Sequence, residues 1–186
     1  MCVDGCWCIW MGVDLEAYGL MWIGVDGCGS MWMHVNGCRW DCMHVDERGL
    51  IWMGVDACGW VWLHKDECGL GWMDVNGCGW MWLDVIACGL MWTDVTGCGW
   101  MWLGVDACEW LWMGVNACGC VWTDVNACEW LWMGVDACVW TWIDMICCGW
   151  VWMHVDGCDC VRMNVDWCEW MWMGVDECGW MWLHVD

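Results

Sequence analysis

Apolar and polar positions alternate along this chain within a ten-residue unit that repeats from Met21 to the C-terminus. Its commonest residues run Met-Trp-(Met/Leu)-Gly-Val-Asp-(Ala/Gly)-Cys-Gly-Trp. Ten is even, so the in-and-out alternation of a β-strand carries over from unit to unit. Odd positions then read Met, Met/Leu, Val, Ala/Gly and Gly/Glu, a mostly apolar set. Even positions read Trp, Gly/Asp/His, Asp/Asn, Cys and Trp. A helix fits poorly: at ~100° per residue each position drifts back by about 80° per unit, and no apolar stripe forms. The 25 glycines would add up to ~1 kcal/mol at each helical site. The expected fold is all-β if ordered, a single-domain β-solenoid built from ten-residue coils. The alternative is a disordered or aggregating low-complexity chain.

With one coil per unit, about 18 coils spaced ~4.8 Å apart would make a rod near 86 Å long. Val is expected inside, and the Asp-(Ala/Gly) step supplies the turn. Such a coil encloses a narrow interior, so both Trp rows are expected outside, as a surface for self-association. Trp holds the second position at Trp22, Trp32 and Trp52, at every tenth residue to Trp152, and at Trp172 and Trp182. Cys holds the eighth at Cys28, Cys38 and without a gap from Cys58 to Cys178. Residues 1–20 are irregular N-terminal units, with Ile9 to Leu20 reading as one unit carrying two extra residues; residues 21–186 form the decapeptide array. No linker or shift of composition divides it.

Composition adds constraints. There are 28 Trp, 22 Cys and 19 Met but no Phe or Pro, so Trp and Met are expected to fill most large positions, which specifies packing poorly. The formal charge is −22, from 26 acidic residues against Arg39, Arg48, Lys65 and Arg162. That argues against nucleic acid, whose phosphates need Lys and Arg, and against anionic membrane surfaces. The longest uncharged stretch, Trp110 to Thr123, has 14 residues, too short for a membrane-spanning helix. The N-terminus, with an early Asp4 and no basic start, does not read as a signal peptide. The cysteine content suits an oxidised scaffold all the same. Stacked Asp at the sixth position would repel by roughly 0.9 kcal/mol per charged pair even in water.

Ladder cysteines on neighbouring coils would fall within the ~4.4–6.8 Å Cα window of a disulfide. Soft-metal binding by thiolates and Met sulfur is the competing chemistry. Its best local cluster is His154, Asp156, Cys158 and Cys160, with Cys118/Cys120, Cys6/Cys8 and Cys147/Cys148 weaker, and no zinc knuckle occurs. The Asp row lacks the closely spaced Gly and nine-residue period of calcium-loaded β-rolls. His34, His44, His64, His154 and His184 all stand at the fourth position, as ladder variants without triad logic. The ten-residue period is similar to that of small insect antifreeze solenoids. With Thr only at Thr93, Thr96, Thr123 and Thr141, the likeness stops at the period. No catalytic, cofactor-binding or metal-ligating residue is assigned, and the chain is not expected to be an enzyme.

Differences between units point to an origin in DNA. Trp gives way to Cys42 and Arg162 at the second position, and to Leu20, Ser30, Leu50, Cys120 and Cys160 at the tenth. Each is one base from a Trp codon. The sixth position includes Ile86, Thr96 and Ile146, the ninth Arg39, Val139 and Asp159. Ala107 to Cys118 recurs at Ala127 to Cys138 with a single change. A G/T-rich tandem repeat read as an open frame would produce this chain, a minisatellite translation with no specific biochemical function. The alternatives are a self-associating, disulfide-stapled β-solenoid rod and a soft-metal-binding repeat protein.

Overall fold

The computed structural model describes residues 2–4, 8–14, 19–27, 29–37, 39–46, 49–56, 58–66 and 68–185. Most described units contribute one strand, running from the tenth position of one unit to the sixth of the next, while Trp140–Asp156 and Cys160–Asp176 each run unbroken through two units. Trp100–Asp106, Trp110–Asn116, Cys120–Asn126 and Trp130–Asp136 are typical. All pairing is parallel and, beyond the N-terminal strands, joins residues twenty apart: Trp100 lies opposite Cys120 and Asp106 opposite Asn126, while Trp110 lies opposite Trp130. The fold is a parallel β-solenoid of about 8 turns.

The ten-residue unit is the building block, and two units close one turn. A seven-residue strand spans ~23 Å, and the three residues left over cannot bring the chain back across that distance. The next unit returns it on the opposite side of the rod. The length of ~86 Å expected from one turn per unit therefore falls to roughly 40 Å. Near the N-terminus Ile9–Asp14 pairs with Met31–Asn36, Ile9 lying opposite Met31. That offset, shared by Cys2 opposite Gly24, is two residues longer than in the rest of the rod, as the two extra residues require.

The alternation read from the sequence holds along most strands and is lost at the C-terminal end, where Trp180–Val185 is exposed throughout. In Trp110–Asn116 and Trp130–Asp136 exposed and interior residues alternate, with Leu111, Met113, Val115, Leu131, Met133 and Val135 buried. Trp stays outside, as expected for so narrow a coil. Two facing sheets stand ~10 Å apart, enough for interdigitated Met, Leu and Val but not for indoles from both sides. The interior is built from Met, Val, Leu, Ile and Cys instead.

Alternation breaks at the corner, with a chemical consequence. The seventh position adopts left-handed backbone: φ is 53–55° at Ala87, Ala107, Ala117, Ala127 and Ala137, and 62–70° at Gly77, Gly97 and Gly157. One such residue reverses the side on which the next side chain points. The eighth-position cysteine, assigned by parity to the outward set, thereby turns inward: Cys98, Cys108, Cys118, Cys128 and Cys138 are buried. The backbone stays paired around the bend. Ala107 N donates to Asn126 O at 2.9 Å and Gly119 N to Cys98 O at 2.9 Å.

The ninth position has its own constraint. A Cβ on Gly79, Gly99 or Gly119 would stand 2.6–2.7 Å from the carbonyl oxygen of the ninth residue one turn earlier. Where a side chain does occur there the ladder gives way slightly. Glu109, Glu129, Asp159 and Val139 donate to the preceding turn at 3.1–3.3 Å, against 2.9–3.0 Å for Gly79, Gly99, Gly119, Gly149 and Gly179.

Candidate functional site

Outward positions on regular strands stack directly on their equivalents one turn away, so the surface is a set of one-residue-wide rows. Tryptophan makes four of them. At the tenth position Trp40, Trp60, Trp80 and Trp100 stack with centroids 4.9–5.0 Å apart and planes within 5°. Trp110, Trp130, Trp150 and Trp170 form the matching row on the other side, at 5.0–5.6 Å. At the second position Trp72 and Trp92 stack at 4.8 Å and Trp122 and Trp142 at 4.7 Å. Others tilt, Trp112 against Trp132 at 48° among them. Offset stacking of this kind adds ~0.5–1.5 kcal/mol per pair beyond the area it covers. The rows stay open to solvent all the same: Trp132 is 50% and Trp140 60% exposed.

Arg162, in a Trp position, looked arbitrary beside Trp152 and Trp172 in the sequence. Its neighbours in space are Trp142 and Trp182, and its guanidinium lies 4.3 and 5.5 Å from their ring centroids. A flat cation between two rings preserves the stack.

The fourth and sixth positions form a polar lane beside each second-position Trp row. Stacked Asp at the sixth position was expected to repel, and Asp136, Asp156 and Asp176 do follow one another at twenty-residue offsets. Elsewhere an Asn relieves the row. Asn126 Nδ2 donates to Asp106 Oδ1 at 2.8 Å, Asn76 Nδ2 to Asp56 Oδ1 at 3.2 Å, and Asn164 Nδ2 to Asp144 Oδ1 at 3.0 Å in the fourth-position row. Where carboxylates do meet, protonation becomes easier. Burial, then the Asp74 charge, pushes the Asp94 carboxyl up, and burial, then Asp144 and Asp106, does the same at Asp124. Large fourth-position side chains lean over glycines of the following turn, as His34 does over Gly54 and His154 over Gly174. Gly114 and Gly134 leave the lane open as a groove of about 440 Å³ between the Trp112/Trp132 wall and Asn116 and Asp136.

The cysteine ladder splits into two buried corner rows whose neighbours are twenty residues apart. Cys98, Cys108, Cys118, Cys128, Cys138 and Cys158 are free thiols, while Cys88 is disulfide-bonded. Cys138 Sγ donates to Asp136 O at 3.4 Å and Cys158 Sγ to Asp156 O at 3.5 Å. A hydrogen bond with Cys118, then burial, pushes the Cys138 thiol up, and the same bond pulls Cys118 down. Of the local cluster suggested by the sequence, Cys158 is buried and Cys160 half-buried, so the bend separates them. Cys6, Cys28 and Cys38 lie outside the described residues, as does the side chain of Cys147.

Two charged residues sit in the core. Asp41 occupies a first position, 3% exposed, and neither carboxylate oxygen finds a well-formed hydrogen bond. Burial pushes it up from 3.8 to about 6, opposed only by the nearby Cys42 amide. Lys65 occupies a Val position, 2% exposed, and burial pulls it down from 10.5 to about 8, opposed by Cys108. The hydroxyls of Thr93 and Thr123 are likewise buried without a partner, so neither has a base beside it. Comparison with protein-family models, curated sequences and solved structures gives no match.

Proposed function

We propose that this chain is a structural, non-catalytic element, a short β-rod that associates side by side with further copies of itself through its tryptophan rows. The observation that carries this reading is the pitch of those rows. A solvent-facing ladder of indoles repeating every turn at about 5 Å is matched along its whole length by a surface of the same period. A second copy supplies one. Rows of roughly half-exposed Trp are an apolar surface of the kind that marks association. The opposing force is charge, since two rods of −22 each repel until salt screens them. Sedimentation velocity across a salt series tests the idea. The mass should rise with ionic strength, and Trp82→Ser, Trp102→Ser and Trp122→Ser together should hold the rod monomeric. A wild-type chain monomeric at every salt concentration would sink the proposal.

A second reading, that the chain is a translated tandem repeat with no specific biochemical role, draws support from Asp41 and Lys65. Each places an ionisable group in a dry interior at a cost of about 3 kcal/mol. Drift in a copied DNA unit leaves such residues in place where selection for a stable core removes them. Near-UV circular dichroism through a thermal ramp separates the readings: a cooperative loss of a strong Trp signal supports a built rod, a featureless drifting signal the tandem-repeat reading. The soft-metal reading has less support, because the corner bends turn the ladder thiols into the core.

A further inference from the structure

His44 and His64 stand at the fourth position of alternate units and are therefore direct neighbours on one face of the rod. Their rings stack 5.1 Å apart at 8°. Two residues beyond His64 on the same face, Asp66 offers both oxygens to the pair: Oδ1 lies 3.3 Å from His64 Nε2 and Oδ2 4.0 Å from His44 Nε2. One ligand atom from each of the three falls within 4.8 Å of the others. On the far side of His64, Asp84 Oδ2 lies 3.2 Å from Nδ1, placed to hold the Nδ1 proton when Nε2 binds a metal. We propose that His44, His64 and Asp66 bind one divalent transition-metal ion of the zinc class, with Asp84 as the positioning residue for His64.

The donor set decides the metal. Two imidazole nitrogens and one carboxylate suit zinc, cobalt or nickel, whereas calcium and magnesium take oxygen throughout. The side chains are 30–48% exposed, so an ion reaches them and water can fill the remaining coordination positions. Other histidines on the rod lack the second imidazole. His34 has Asp56 at 3.3 Å but glycine in the next turn, and His154 has Asp136 and Asp156 but again glycine after it. The site is independent of self-association.

Cobalt titration of the intact folded protein tests the assignment, because nitrogen and oxygen ligands give d–d absorption without the charge-transfer bands of cysteine sulfur. Wild type should bind one Co²⁺ with d–d bands alone. His44→Ala and His64→Ala should each lower affinity at least tenfold, Asp84→Asn by ~10–100-fold, and His34→Ala should leave it unchanged. In unmodified protein, substoichiometric Co²⁺ should broaden the imidazole proton resonances of His44 and His64 before those of His34 and His154. Undiminished affinity in either His44→Ala or His64→Ala, sulfur charge transfer as the first signal, or earlier broadening at another histidine would each overturn the proposal.

Discussion

Two stretches of the rod share one backbone and differ in what they enclose. From Trp100 to Asp136 the interior positions hold Met, Leu, Val, Cys and a single Thr, nearly all fully buried. From Trp40 to Lys65 the same positions include Asp41 and Lys65. The strand pairing does not register the difference: Asp41 lies opposite Met21 and Val61, Lys65 opposite Val45 and Val85, with the twenty-residue offset kept. Main-chain hydrogen bonds are made by every residue type, so they hold the register whatever the side chain. A buried charge is then a local defect, and stability varies turn by turn, as expected where each repeat touches only its neighbours.

That contrast can be broken most severely from the regular side. Leu103→Ala empties a fully buried site and should cost ~2–5 kcal/mol, read as lost hydrogen-exchange protection confined to the turns around it. If protection falls evenly along the rod, the turns are not independent. Next in size is repair of the irregular side. Asp41→Val and Lys65→Val should each stabilise their turns by about 3 kcal/mol at neutral pH. The signs follow from proton binding. Folded Asp41 holds its proton up to about 6, so its stability contribution falls as pH rises from ~4 to ~6. Folded Lys65 gives up its proton above about 8, so stability recovers between ~8 and ~10.5. The gap between wild type and the double variant should therefore be widest from pH 6 to 8 in denaturant melts across pH, and a flat difference would mean that the two groups are solvated.

Smaller effects sharpen the picture inside the regular turns. Thr123→Val removes a buried hydroxyl that has no partner at nearly constant volume and should stabilise by ~1–2 kcal/mol in denaturant titration. Ala117 holds φ at 55°, where glycine is at ease, so Ala117→Gly should gain roughly 0.5–1 kcal/mol despite the freer unfolded chain. A loss there would show that the bend is not left-handed in solution.

Much of this surface was legible once the wrong spacing is set aside. The parity of the unit announced strands, an interior of Val with Met and Leu, and Trp outside. The inserted residues between Ile9 and Leu20 reappear as a shifted register. What failed was adjacency. Read ten residues at a time, Arg162 interrupts Trp152 and Trp172, and His44 and His64 are separated by Gly54. Read twenty at a time, Arg162 is sandwiched by Trp142 and Trp182, and the two histidines touch. The copy of Ala107–Cys118 at Ala127–Cys138, itself offset by twenty, was the one signal in the sequence of a two-unit turn.

By itself the amino-acid sequence determined the strand character, the period and which side of each strand is apolar, because these depend on local sterics and on alternation that an even repeat preserves. It also determined the acidic exterior. The tertiary structure alone decided that two units make a turn, because closure depends on how far a strand reaches before the chain can come back. It alone decided that the eighth-position cysteines face inward, because one left-handed residue at each corner reverses the parity. Every neighbour relation on the surface followed from those two outcomes.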